Sequence, residues 1–314
     1  MAIGLFTPTW DPAQWLATFR AQAPDIEIRA FPELGAREDI EFAVAWLPKP
    51  GSLQDLPNLK VIFSLGAGVD AILRDDTLPK AIPIVRVVEP DLTHRMSEYV
   101  MMQVLMHHRQ QWRVEENQRA KNWDSFATPA ASDFRVGIMG FGVLGQDAGQ
   151  KLKVMGYDVA GWSQHRKNVP GIESFAGHGE LDAFLARTDI LVVLLPHTPE
   201  THGVLNRALF AKLSRKGPFG APVLINAGRG KLQVESDILA SLEAGELHGV
   251  SLDVFETEPL VTSSPLWNDP RVHVSPHSAA DSGPVHITRY IVHQIHRAQA
   301  GKALENVVDR KRGY

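Results

Sequence analysis

No cysteine occurs anywhere in the 314 residues, which excludes disulfides, thiolate metal sites and a cysteine nucleophile. An excess of basic charge is missing as well. The chain has 32 Lys and Arg against 36 Asp and Glu, a formal net charge of −4, so no nucleic-acid partner is expected. No apolar run approaches the roughly 20 residues that cross a bilayer, and no membrane partner is expected either. The first residues, "MAIGLFTPTWDP", lack a basic flank and reach proline at position 8, which reads as a first strand rather than a signal peptide. A cytoplasmic location is the expectation.

What is present is a 44% hydrophobic content, ordinary for a globular chain of a length that accommodates two moderate cores. Short β-rich apolar runs alternate with helical patterns, the signature of βαβ units and a mostly parallel sheet. The first third predicts strands at "AIGLF", "IEIRAF", "EFAVAWL", "KVIFSL" and "IPIVRVV". From Met96 to about Arg119 no Pro or Gly interrupts an apolar periodicity, which predicts one long helix with a polar second half. A second strand series runs through "FRVGIMG", "YDVAGWS", "DILVVLLP", "PVLINAG", "GVSLDVF" and "RVHVSPH", and an amphipathic helix follows from Pro284 to about Ala300.

Gly140-Phe141-Gly142-Val143-Leu144-Gly145 lies between the strand ending at Met139 and a helix running toward Met155. In that setting the pattern predicts a dinucleotide-binding turn, with Gly140 for the tight turn, Gly142 for close approach to a pyrophosphate and Gly145 for helix–strand packing. The phosphates would meet the helix N-terminus. An acid is expected at the end of the next strand when a ribose 2′-hydroxyl is gripped. Here that strand ends "GWSQHRK", with Ser163 and no acid, and Arg166 and Lys167 follow. Those two suit a 2′-phosphate, so NADP(H) is the expected cofactor with NAD(H) as the second choice; the other reading is a solvated basic loop.

Three residues close successive predicted strands: Arg229 after "VLINAG", Glu258 in "DVFETEP" and His277 in "VHVSPH". Ligands of open α/β sheets bind outside the carboxyl ends of the strands, so the three side chains can converge there. An arginine ending a core strand calls for an anion, either a structural carboxylate or a substrate. "HQIH" offers His293 and His296 as two helical metal ligands but no third, and no metal is expected.

The set "GFGVLG", "LLPHTPET", "INAGRG", "LDVFETEPL" and "SPHSAA", in this order, resembles the D-isomer-specific 2-hydroxyacid dehydrogenases over essentially the whole chain. "SLGAGVD", "GWSQHRK", "SPLW" and "VDRKRGY" look like the glyoxylate/hydroxypyruvate reductase A group within them. The resemblance implies a two-domain α/β fold, a Rossmann-type doubly wound parallel sheet (98–280) inserted into a flavodoxin-like substrate domain (1–97), to which a C-terminal helix and tail (281–314) return. It implies reduction of a small 2-oxoacid. Arg229 would hold the substrate, His277 would act as general acid and Glu258 would pair with it. Leu65, Gly66, Ala67 and Gly68 match the family's substrate loop, and Trp46 either walls that pocket or packs in the core. Val143, Leu144, Pro196, Thr198, Ala227 and Asp253 fall at cofactor-contacting positions. A homodimer through the long helix is the family expectation. The alternatives are a reductase of larger oxoacids such as phenylpyruvate and a non-catalytic dinucleotide-sensing protein on the same scaffold.

Overall fold

The computed structural model describes residues 1–8 and 10–314, and the chain divides into two compact units, residues 1–92 with 282–314 and residues 93–281. In the first unit, β1 (Ala2–Phe6), α1 (Ala13–Gln22), β2 (Glu27–Ala30), β3 (Ile40–Ala45), β4 (Val61–Ser64), α2 (Asp70–Leu73) and β5 (Ile84–Val85) build a parallel sheet in the order β2-β1-β3-β4-β5. This is the flavodoxin-like order. β1 and β4 are buried along their whole length, as strands covered on both faces must be. Every strand run expected in this third is present, the last reduced to two residues.

α3 (Pro90–His108) carries the chain into the second unit, followed by α4 (Gln111–Arg119), β6 (Arg135–Met139), α5 (Val143–Val154), β7 (Asp158–Ser163), β8 (Glu173–Ala176), α6 (Leu181–Ala186), β9 (Ile190–Val193), α7 (Arg207–Phe210), β10 (Val223–Asn226), α8 (Glu235–Glu243), β11 (Gly249–Leu252) and β12 (Val272–Val274). All strands pair in parallel in the order β12-β11-β10-β9-β6-β7-β8. Consecutive residues of β9 enter opposite cores: Leu191 and Val193 pack with Leu224 and Leu252, Ile190 and Val192 with Val136 and Ile225. Helices therefore cover both faces, and the order reverses between β6 and β9, the switch point at which such sheets bind ligands.

Two sequence expectations need correction. The helix expected from Met96 to Arg119 is two helices: α3 begins earlier, at Pro90, and stops at His108, and Gln110 adopts a left-handed conformation (φ 49, ψ 49) before α4. Nothing in the local sequence forces the break. His108 is buried and bonded to the Tyr157 hydroxyl at 2.6 Å and the Pro129 carbonyl at 2.8 Å, and α4 buries no residue to hold it in line with α3. The edge strand β8 was not expected, because four residues carry too little alternation to register.

The last helix, α9 (Pro284–Gln299), buries Ile287, Ile291, Val292 and Ile295 at helical spacing and packs on α1 in the first unit. The tail then bridges Val307 to Val85 and donates the Val308 amide to the Ile84 carbonyl at 2.8 Å. Among the described residues no helix is long and apolar enough to cross a membrane.

Candidate active site

The glycine turn follows β6 at the switch point. Gly140 has φ +107, and a Cβ there would lie 2.6 Å from the Leu194 backbone carbon, so only glycine lets the turn close against the chain leaving β9. At Gly145 a Cβ would meet the Gly140 carbonyl oxygen at 2.5 Å, which brings α5 onto the strand. Gly142 differs, since its Cβ position has no heavy atom within 4 Å. As the N-cap of α5 it supplies no side chain to bond the first-turn N–H groups, and exposed Val143 and half-buried Leu144 follow it. An open backbone ahead of uncapped helix donors suits a phosphate, at about 0.3–1 kcal/mol per charge for an exposed helix end.

At the end of β7 the Ser163 hydroxyl donates to the His165 carbonyl at 2.8 Å. The Arg166 guanidinium donates to the Ser174 carbonyl and to the Glu180 carboxylate, while the Lys167 amide donates to the Ser174 hydroxyl at 3.0 Å. Arg166 is thus anchored from below by β8 and the turn after it, with more than half of its side chain exposed. Glu180 escaped the sequence reading because it lies 14 residues away. Across the switch point Thr198 is buried, and the Thr201 hydroxyl accepts its amide at 2.8 Å while donating to the Pro196 carbonyl at 2.8 Å. The Ala227 amide donates to Val193 at 3.1 Å, so the β9 and β10 loops run side by side.

Arg229 follows Ala227 in extended conformation (φ −143, ψ 146), with Nη1 donating to the Gly228 carbonyl at 2.7 Å. Gly230 packs so closely on the next loop that a Cβ would lie 1.7 Å from the Phe255 carbonyl oxygen. His277 Nδ1 lies 2.7 Å from Glu258 Oε2. An ionised carboxylate only accepts, so Nδ1 carries a proton and Nε2 is the atom left for exchange. Partial burial pushes the Glu258 carboxyl up, but the His277 hydrogen bond, the Phe255 amide and the charges of His277 and Arg229 outweigh it and hold the carboxyl below its usual range. The charge of Arg229 is therefore felt at the Glu258–His277 pair.

Asp253 at the end of β11 is buried, and its carboxylate accepts the Ser275 hydroxyl at 2.6 Å and the amides of Ser278 and Ala279 at 2.9 and 3.0 Å. The Tyr99 hydroxyl of α3 completes the chain, 3.0 Å from Ser275. Asp253 thereby clamps the loop in which His277 sits at φ +55. Ser275 and Tyr99 were not anticipated, because 176 residues separate them in sequence. Among the described residues no group of three or more His, Asp or Glu could hold a metal ion, and His293 with His296 gains no third ligand.

Buried Leu65 and Gly66 lead to half-buried Ala67 and Gly68 after β4. The Ser64 hydroxyl accepts the Gly66 amide at 3.3 Å and donates to the Gly68 carbonyl at 2.8 Å, bending the loop. No hydrogen bond from the Ala67 or Gly68 amide is found among the described residues. Trp46 lies against this loop, 2.5 Å from where a Gly66 Cβ would stand, and stacks on Trp10 at 5.2 Å. It is neither a core residue nor remote from the loop.

Known proteins resemble this chain in sequence and overall fold. The sequence model of "D-isomer specific 2-hydroxyacid dehydrogenase, NAD binding domain" matches residues 101–279. A glyoxylate/hydroxypyruvate reductase A of Escherichia fergusonii is 39% identical over the full length of both chains. The crystal structure of an NADPH-dependent glyoxylate/hydroxypyruvate reductase from Sinorhizobium meliloti, in complex with NADP and sulfate, superposes with a TM-score of 0.95 at 47% identity, all of both chains covered. A probable 2-hydroxyacid dehydrogenase from Rhizobium etli, in complex with NADP, HEPES and L(+)-tartaric acid, gives 0.93 at 47% identity over 100% of this chain and 99% of that one. With the glycine turn at the switch point and the Arg229, Glu258 and His277 ends in one unit, the chain belongs to the D-isomer-specific 2-hydroxyacid dehydrogenase family, a family of oxidoreductases.

Proposed function

We propose that this protein reduces a small 2-oxoacid, glyoxylate or hydroxypyruvate, to the 2-hydroxyacid with NADPH. The observation that carries the reading is the His277 Nδ1–Glu258 Oε2 bond of 2.7 Å beside the charge of Arg229. The residues present fit a dinucleotide: an open Gly142 over the uncapped start of α5, and no acid at the end of β7. Arg166, anchored by Glu180, and Lys167 favour the 2′-phosphate, which NADPH has and NADH lacks. Val143, Leu144, Ser163, Pro196, Thr198, Ala227 and Asp253 complete the cofactor set. The bound cofactor supplies the hydride. Arg229 holds the oxoacid through paired hydrogen bonds that also polarise its carbonyl. His277 delivers its Nε2 proton to the carbonyl oxygen and is left neutral, and the Glu258 carboxylate, bonded to Nδ1, orients the ring so that Nε2 is the atom presented. Leu65, Gly66, Ala67 and Gly68 offer the substrate carboxylate backbone N–H groups, and Trp46 bounds the space beside Gly66. We place the protein in the cytoplasm as a homodimer whose contact includes the exposed methionine face of α3, where Met102 is 49% exposed.

The test is the loss of reduced-nicotinamide absorbance with glyoxylate, hydroxypyruvate and phenylpyruvate, each with NADPH and NADH. Faster turnover of the two smaller acids with NADPH is expected. Preference for phenylpyruvate overturns the substrate size, preference for NADH overturns the Arg166 assignment, and NADPH binding without turnover of any oxoacid moves the protein to the non-catalytic class.

A further inference from the structure

Beneath the proposed catalytic groups lies a pair of carboxamides that the chemistry does not use. Asn226 is 0% exposed and Gln233 is 2% exposed. Burying an amide without full pairing costs roughly 1–3 kcal/mol per lost partner, yet here every polar atom of the two side chains is matched. Asn226 Oδ1 accepts the Gly228 amide at 3.0 Å, and its Nδ2 donates to the Arg229 carbonyl at 3.2 Å and to Gln233 Oε1 at 2.8 Å. Gln233 Nε2 donates onward to the Val254 carbonyl at 3.0 Å and to Glu235 Oε1 at 3.4 Å. The Arg229 turn is therefore held from inside by Asn226 and tied by Gln233 to the chain just before Phe255, whose amide binds Glu258 at 3.0 Å.

Two more links run between the same segments. Gly230 lies against the Phe255 carbonyl. Glu235 and Glu256 each accept the other's backbone amide, at 2.7 and 2.8 Å. Of these links, only the amide pair reaches the backbone of Arg229 itself.

We propose that the Asn226–Gln233 pair is a positioning device that fixes Arg229 relative to the Glu258–His277 pair, so that the oxoacid's carboxylate and carbonyl are held in register with the proton donor. This rests on the reading of Arg229 as the residue that holds the oxoacid. Neither amide reaches the substrate; both act through the turn. A small shift of the guanidinium matters because a misplacement of about 1 Å can cost on the order of 10²-fold in rate.

The experiment measures glyoxylate reduction with NADPH, inhibition by oxamate and NADPH binding by protein fluorescence. It uses wild type, Gln233→Leu, Gln233→Asn, Arg229→Ala and the double variants. Gln233→Leu is expected to leave NADPH affinity within about two-fold while raising KM and the oxamate inhibition constant and lowering kcat, the combined loss in kcat/KM being roughly 10- to 100-fold. In the Arg229→Ala background the same change is expected to cost almost nothing, because the group it positions is gone. If Gln233→Leu does not fold, Gln233→Asn decides: it keeps an amide but is too short to reach both Asn226 and Val254, and it should show the same pattern at smaller size. An unchanged oxamate constant, or an equal loss in both backgrounds, overturns the positioning role. Oxamate inhibition unaffected by Arg229→Ala alone overturns the reading of Arg229, and this proposal with it.

Discussion

His277 stands at φ +55, a left-handed conformation that a non-glycine residue keeps only when its surroundings over-determine it. Here they do: its amide donates to the Asp253 carbonyl at 2.8 Å, the Asp253 carboxylate clamps the following amides, and its ring is tied to Glu258. The pairing has a pH signature. Against the upward push of burial, the His277 bond and the Phe255 amide hold the Glu258 carboxyl below its usual range, so it remains an ionised acceptor for Nδ1 into the acid range. The kcat/KM of oxoacid reduction should therefore fall on the acid side, as Glu258 takes up a proton, and Glu258→Gln should remove that acid limb; a limb that persists in the variant means that another group causes it. Arg229→Ala should lose roughly 10²–10³-fold in kcat/KM, the usual cost of removing a donor to developing oxyanion charge, while NADPH titration stays near wild type. Turnover close to wild type would remove Arg229 from the mechanism.

The glycine turn and α5 act as one element, and two of its glycines differ in what surrounds them. Gly145 is hemmed in by the Gly140 carbonyl at 2.5 Å, Gly142 by nothing within 4 Å. Gly145→Ala has to push backbone apart, so a stability loss of about 1–3 kcal/mol is expected in urea unfolding, together with weaker NADPH binding. Gly142→Val has room in the protein, so its melting temperature should stay near wild type while the NADPH dissociation constant rises at least ~10-fold, the side chain standing where the pyrophosphate is expected. Loss of stability without loss of affinity in Gly142→Val would place the cofactor elsewhere. The same logic explains α3 and α4. Apolar periodicity continues through Gln110 without Gly or Pro, but the helix ends where buried His108 finds the Tyr157 hydroxyl and the Pro129 carbonyl.

Acid sensitivity belongs to the whole molecule. His107 is fully buried, bonded to the Ser251 hydroxyl at 2.8 Å and edge-on to His273 at 5.2 Å, and His248 stacks on Phe219 at 4.2 Å. Burial first, then repulsion from His273 and His248 whenever those rings take up a proton, holds His107 well below the ordinary 6.5, and burial likewise lowers His248 and His273. In the fold His107 resists protonation and His248 and His273 take up protons later than they would when exposed, whereas the unfolded chain takes up protons as pH falls through 6.5. Stability is therefore fully present above that value and lost below it, by up to about 1.4 kcal/mol per pH unit for the fully buried His107 and by less for the half-buried His248 and His273. Urea midpoints should fall between pH 7 and 5, and His107→Gln should flatten the slope; an unchanged slope would mean that the acid loss comes from other groups.

Much of the fold and the candidate site was legible in sequence because its signals have local causes. The spacing of Gly140, Gly142 and Gly145 encodes a turn whose geometry is set within six residues, and strands buried on both faces announce themselves as unbroken apolar runs. Arg229, Glu258 and His277 were visible because each closes such a run, and family membership follows from the order of those motifs. What only the tertiary structure decided is how these groups are held: Gln233 reaching Val254, Glu180 reaching Arg166, Ser275 meeting Tyr99, Ser64 bending the loop of Leu65 to Gly68, and the stop of α3 at His108. Most of these contacts join distant stretches of chain, and an amide or hydroxyl carries no mark in sequence of the partner that burial will oblige it to find.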